Sequence, residues 1–448
     1  MRRGILFAIG LAALLALPLA AVPASAGRLR NEGPRYVPIV ESGTTARFDG
    51  GEFVHIRVGD ISLGAIWSSN ATIGRGGVTL FVDYTRFFGG AEMYDERGNY
   101  LGTRALPLHT VFIQHFDKMV EFRDLNNDSL LDLRVENRTV FVGEQPVKTL
   151  DLNRPWYLDG PITQVLEDGS AWVNFTVSTS RAPYRLVFDP AGRTWHLGTP
   201  ADGVLDKLSL TFRLAASAHE GTAEVPFYKV TVAGGNPRAP TRSEFLGNRT
   251  LSGVSVPVNG KYDQRIEGWD FAFADSKLAM GTTLGFGNAI TAPIVDWIQQ
   301  QFGGACLKDG TFAHCESDTG PTTPVKIARD RLQVAEGWVR AGDAYWTSNV
   351  TVDGRPETMT FEIYAAERVP INRGDAVFAG FRAYGAFVYP QGQTIVHDPG
   401  LEATSVIPDI LDTTNVTPSL LVGLELAMVA VALVPAVILR QRARRPRP

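Results

Sequence analysis

The chain has 448 residues, 44% of them hydrophobic, only two cysteines, and a formal net charge of −4 at pH 7. Two cysteines in so long a chain exclude a disulfide scaffold, so a hydrophobic core has to carry the fold. Without the seven arginines of the two ends and Glu425, residues 27–417 are more acidic, near −10. Such a body argues against nucleic acid as partner, because phosphate binding needs a basic face.

Met1-Arg2-Arg3 precedes an apolar run from Ile5 to Leu19 and then Ala24-Ser25-Ala26, the small-residue pattern that signal peptidase cuts. Residues 1–26 therefore read as a signal peptide, with Gly27 as the first mature residue. No cysteine lies near that cut, which argues against an N-terminal lipid anchor.

From there the chain reads as β almost throughout. Segments such as "EFVHIRV" (52–58), "GVTLFVDY" (77–84), "AWVNFTVST" (171–179), "KLSLTFRLA" (207–215), "YKVTV" (228–232), "ETMTFEIYA" (357–365) and "AYGAFVYP" (383–390) alternate, and are rich in Val, Thr and aromatics. Gly, Asp, Asn and Pro punctuate them at short intervals, a pattern that indicates sandwiches of short strands. Asp353-Gly354, between "WTSNVTV" and "ETMTFEIYA", is the clearest hairpin signal.

The stretch "RDLNNDSLLDLR" (123–134) carries a D-x-N-x-D pattern. Asp124, Asn126 and Asp128 take positions 1, 3 and 5 of a calcium loop, Leu130 offers its carbonyl at 7, and Asp132 falls at 9. The pattern resembles the loops of EF-hands and dockerins, with two departures: Ser129 stands at the turn glycine, and Val135 where the last carboxylate belongs. The competing reading is a hairpin with an "NND" turn.

Of fifteen asparagines, seven begin N-x-S/T triplets: Asn70, Asn127, Asn137, Asn174, Asn248, Asn349 and Asn415. Ser and Thr together make up 54 residues, so chance would give about two, and the excess points to a surface built to carry N-glycans. Asn415 is the weakest of them, only five residues from the expected membrane span.

A faint internal echo aligns "FDKMVEFRD" (116–124) with "YDQRIEGWD" (262–270). It predicts two related β-sandwich units over 27–235 and 236–400, with "AGGNPRAPTRS" (233–243) at the join and a stalk over 401–417. One amphipathic helix is expected from about Thr291 to Gln301, stopped by Gly303-Gly304. Cys306 and Cys315 enclose "LKDGTFAH"; outside the cell the default is a disulfide, contributing roughly 3 kcal/mol. A metal site from Cys306, His314 and Cys315 lacks a fourth ligand.

The chain has no G-x-S-x-G, H-E-x-x-H or phosphate-loop pattern and no dinucleotide glycine fingerprint. His109 and His115 are explained as polar strand positions. The best enzyme candidate is "IEGWDF", where Glu267 and Asp270 flank Trp269 as acid, base and sugar platform would in a glycosidase; odd spacing along a strand sets the two carboxylates on opposite faces.

Leu420 to Leu439 is twenty residues with one charge, Glu425. At 1.5 Å per residue it reaches about 30 Å, so residues 418–439 read as a single transmembrane helix. Arg440, Arg442, Arg444, Arg445 and Arg447 in the 440–448 tail keep that tail cytoplasmic and the body outside.

Signal peptide, sequon-rich β ectodomain, Thr-Pro, apolar span and arginine cluster together resemble archaeal cell-surface glycoproteins. In one class of these, Pro-Gly-Phe before the span marks exchange of the helix for lipid; Pro418-Ser419-Leu420 departs from that and favours a retained helix. Two function classes follow. One is a membrane-anchored extracellular glycoprotein with a structural, adhesive or ligand-binding role, its partners the bilayer and a cell-envelope protein or glycan. The other is a membrane-tethered hydrolase of extracellular polysaccharide or peptide.

Overall fold

A computed structural model describes residues 38–45, 51–59, 61–69, 77–129, 131, 144–168, 170–186, 200–235, 240–291, 306–309, 312–315, 325–328, 331–336, 339–373 and 376–408. The signal peptide, the expected helix beyond Thr291, the 418–439 span, the basic tail, Asn70, Asn137, Asn415, Leu130 and Asp132 lie outside these residues. Among the described residues no helix is long and apolar enough to cross a membrane.

The described chain is mainly β. Its strands are β1 (Ile39–Thr45), β2 (Gly51–Val58), β3 (Ile61–Trp67), β4 (Val78–Asp95), β5 (Tyr100–Asp124), β6 (Glu144–Asp151), β7 (Tyr157–Val165) and β8 (Ala171–Leu186). They continue as β9 (Pro200–Ala216), β10 (His219–Val232), β11 (Pro240–Glu267), β12 (Ser276–Thr291), β13 (Cys306–Asp309), β14 (Phe312–Cys315), β15 (Val325–Ala328) and β16 (Arg331–Glu336). The last are β17 (Val339–Tyr345), β18 (Asn349–Val352), β19 (Arg355–Thr358), β20 (Thr360–Arg373), β21 (Ala376–Tyr389), β22 (Thr394–His397) and β23 (Gly400–Pro408).

All the alternating segments fall in or overlap strands. In β8, Val173, Phe175 and Val177 are buried and Trp172, Asn174 and Thr176 face outward, as a period of two demands. Several strands are far longer than the short ones expected: β5 has 25 residues and β11 has 28. Bulges let them bend and keep pairing, as where the β5–β12 register shifts between Gly281 and Thr282.

One antiparallel series runs β1–β2–β3–β4–β5–β12–β21–β20. A second runs β7–β8–β9–β11, with β22 and β23 on the other edge of β11. Their inner faces meet: ring centroids of Phe116 on β5 and Tyr262 on β11 lie 5.4 Å apart, and those of Trp67 on β3 and Phe175 on β8 lie 5.8 Å apart. The margins are joined by strands shared between the series. β10 pairs with β11 and, in parallel, with β4; β6 pairs with both β5 and β8.

The boundary expected at 235/236 therefore does not divide the chain into separate bodies. β11 pairs with β9 and β10, β12 with β5, and a single core cluster draws residues from Val54 to Ala403. Residues 240–243 of the expected join already belong to β11 and pair with β10, so the join falls within one hairpin rather than between two domains. The expected stalk also begins too early, since Leu401 is a buried residue of β23. The reason is the length of β11: one strand can serve two neighbours in succession along each edge, which no pattern of period two reveals.

Candidate functional site

The 123–129 stretch forms a self-capped turn at the end of β5. Asn127 and Ser129 both have positive φ, 57° and 60°, the left-handed conformation that the glycine of a calcium loop would supply. The amides of Asp128 and Ser129 donate to the Asp124 carboxylate at 3.2 and 3.0 Å. The ammonium of Lys277 on β12 sits against the same group, 2.6 Å from Oδ2, and also touches Ser129 Oγ. Burial works against the Asp124 charge, but Lys277 and the two amides outweigh it and hold the carboxyl below its ordinary range. Asn126 turns its amide nitrogen to Asp128 Oδ2 at 2.8 Å. A calcium ion at Asp124 would have to displace Lys277, and among the described residues no group of three or more His, Cys, Asp or Glu is placed to hold a metal.

The stretch 268–275, where the second echo segment ends and runs on, packs beside this turn. Arg123 pairs with Asp275 at 2.7 Å and its guanidinium lies 4.8 Å from the Phe273 ring centre. The leading aromatics of the two echo segments, Phe116 and Tyr262, are the rings that meet across the core.

Between them lies the most developed polar cluster of the described chain. Glu121 on β5 is wholly buried; its Oε2 accepts from Trp269 Nε1 at 3.0 Å and its Oε1 from the Ala272 amide at 2.7 Å. Lys148 on β6 stands directly across from it in register, with Nζ 3.5 Å from Oε2. The same ammonium donates to the Asp270 carbonyl and lies 4.3 Å from the ring centre of Tyr184 and 5.8 Å from that of Trp269. Burial pushes the Tyr184 hydroxyl up to about 12, and that hydroxyl bridges the Gly268 carbonyl and the Asp270 amide.

This arrangement changes the roles read from "IEGWDF". Trp269 is fully buried and anchors Glu121, so it offers no face to a sugar. Glu267 is paired with Arg265 at 2.8 Å, while the Asp270 side chain points to solvent at 76% exposure. The chain matches no family model and no curated protein.

A second polar group lies inside the core. His397 on β22 has Nε2 3.1 Å from the Thr347 carbonyl and Nδ1 3.1 Å from the Tyr389 hydroxyl, which also contacts Gln264 Oε1. The Nε2 contact makes that nitrogen the donor, while the Tyr389 hydroxyl gives its single proton to Gln264 Oε1. Burial depresses His397 to about 4. His115 on β5 is likewise buried, lowered by desolvation and bonded through Nδ1 to Thr79 Oγ1 at 2.8 Å; the His109 side chain lies outside the described residues.

Asn127, Asn248 and Asn349 are exposed, and Asn174 is half-buried on the outer face of β8. Cys306 and Cys315 are cross-strand partners at the open end of the β13–β14 hairpin, with side chains outside the described residues.

Proposed function

We propose that this chain is a membrane-anchored extracellular glycoprotein with a structural, adhesive or ligand-binding role at the cell envelope. The observation that carries the reading is the placement of the described sequons: Asn127, Asn174, Asn248 and Asn349 all face away from the core, on positions where an attached sugar meets water and not packing. The signal peptide, apolar span and arginine tail of the sequence supply the address. The hydrolase reading has less support, because its platform tryptophan is buried and Glu267 is engaged by Arg265.

The test is the intact mass of protein purified from its native host, compared with Asn→Gln variants at 174, 248 and 349. Mass above the bare polypeptide, falling stepwise in the variants, supports the proposal; the bare mass refutes it. Protease added to whole cells should remove most of the chain and spare an epitope on the 440–448 tail.

A further inference from the structure

We propose that Lys148 and Glu121 condense to an isopeptide bond, a side-chain amide that welds β6 to β5. Three features of the pair point to condensation beyond a plain ion pair. First, the reacting groups are held together: Glu121 and Lys148 are cross-strand partners, with Nζ and Oε2 3.5 Å apart. Intramolecular groups oriented for reaction reach effective molarities of about 10⁵–10⁸ M, which removes much of the entropic barrier to amide formation.

Second, the site is dry. The two side chains are 6% and 0% exposed, and the rings of Tyr184 and Trp269 cover the nitrogen. Two charges buried this deeply carry a large desolvation penalty, and a neutral, hydrogen-bonded amide carries a much smaller one. Third, Glu121 is polarised as the electrophile. The Trp269 Nε1–H and the Ala272 N–H reach its two oxygens at 3.0 and 2.7 Å, so whichever oxygen stays on the carbon has a donor in place to hold it as the oxyanion of a tetrahedral intermediate.

The step balances without a further reactant. The ammonium passes one proton to the carboxylate, leaving a neutral amine and acid; Nζ adds to the carboxyl carbon, a second proton moves from nitrogen to the departing oxygen, and water leaves. One C–N bond forms, one C–O bond breaks, and nothing is oxidised or reduced. Asp270, solvent-facing with Oδ2 4.0 Å from Nζ, marks the route by which that water reaches bulk.

The test is a tryptic digest of the full-length protein, denatured first and read by mass spectrometry. The proposal expects a branched peptide joining residues 119–123 to the peptide that carries Lys148, lighter by one water than the two together, and no cleavage after Lys148. Lys148→Arg, which keeps the cation, and Glu121→Leu should each abolish the branched species. Recovery of the 119–123 peptide unlinked and in full yield from wild type, with cleavage after Lys148, would overturn the proposal. The readout is covalent, so it does not depend on either variant folding.

Discussion

Acidification should weaken the fold through His397, and the size of the effect follows from its surroundings. The ring is 2% exposed, and burial holds it near 4 against an ordinary value of 6.5. In the unfolded chain the imidazole takes up its proton near 6.5, whereas in the native state it stays neutral until about pH 4. Between those values the unfolded state binds more protons, so stability rises with pH. His397 therefore costs little above pH 6.5, its stabilisation is lost progressively as pH falls through that window, and the loss levels off near pH 4. A shift of about 2.5 units at 1.36 kcal/mol each gives roughly 3 kcal/mol. Urea unfolding of residues 27–417 at pH 7, 6, 5 and 4 measures it. Other groups titrate in the same range, so the comparison is with His397→Gln, which removes the titration while keeping a donor and an acceptor. The difference in stability between the two proteins should change by about 3 kcal/mol from pH 7 to pH 4. Parallel pH profiles would refute the argument.

Asp124→Ala and Lys277→Met should each cost roughly 2–3 kcal/mol in denaturant unfolding, with the double variant costing less than the sum, because each single change strands a charge in a site where Asp124 is 1% exposed. The melting temperature in calcium against chelator tests whether the metal displaces Lys277, and a rise in calcium that disappears in Asp124→Ala would establish that it does. Trp156→Ala should cost about 3–5 kcal/mol, since the indole is fully buried and its N–H is satisfied by the Leu152 carbonyl at 3.1 Å. Gly268→Ala should lower the melting temperature by a few degrees, because φ is +68° there and a methyl group would collide with Asp206.

Local features were legible where neighbours along the chain decide them. The alternation of "AWVNFTVST" reappears as the burial pattern of β8, and Asp353-Gly354, with φ of 51° and 78°, closes the β18–β19 hairpin. What could not be read was which strands meet. Glu121 and Trp269 are 148 residues apart in sequence, and the echo that contains both pairs Glu121 with Glu267 and does not foretell their contact. One signal was present: "MVEF" (119–122) breaks the alternation with apolar residues on both faces, as happens where a strand is covered on both sides. A glutamate inside such a run has to be buried, and therefore partnered. Asp124 shows the converse difficulty. The spacing of Asp124, Asn126 and Asp128 is that of a cation loop, yet the cation beside Asp124 is a lysine from a distant strand.

The placement of β23 bears on how the chain is made. This last strand lies along β11 over Gly253–Lys261 and is also paired by β17, so the second layer stays open along one edge until residue 408 has emerged. A chain made from its N-terminus exposes that ladder of unpaired amides and carbonyls from the emergence of β11 until that of β23. Completion is therefore a late, long-range event of the kind that folds slowly, and a product cut short before Gly400 should self-associate through β11 rather than persist as a smaller monomer.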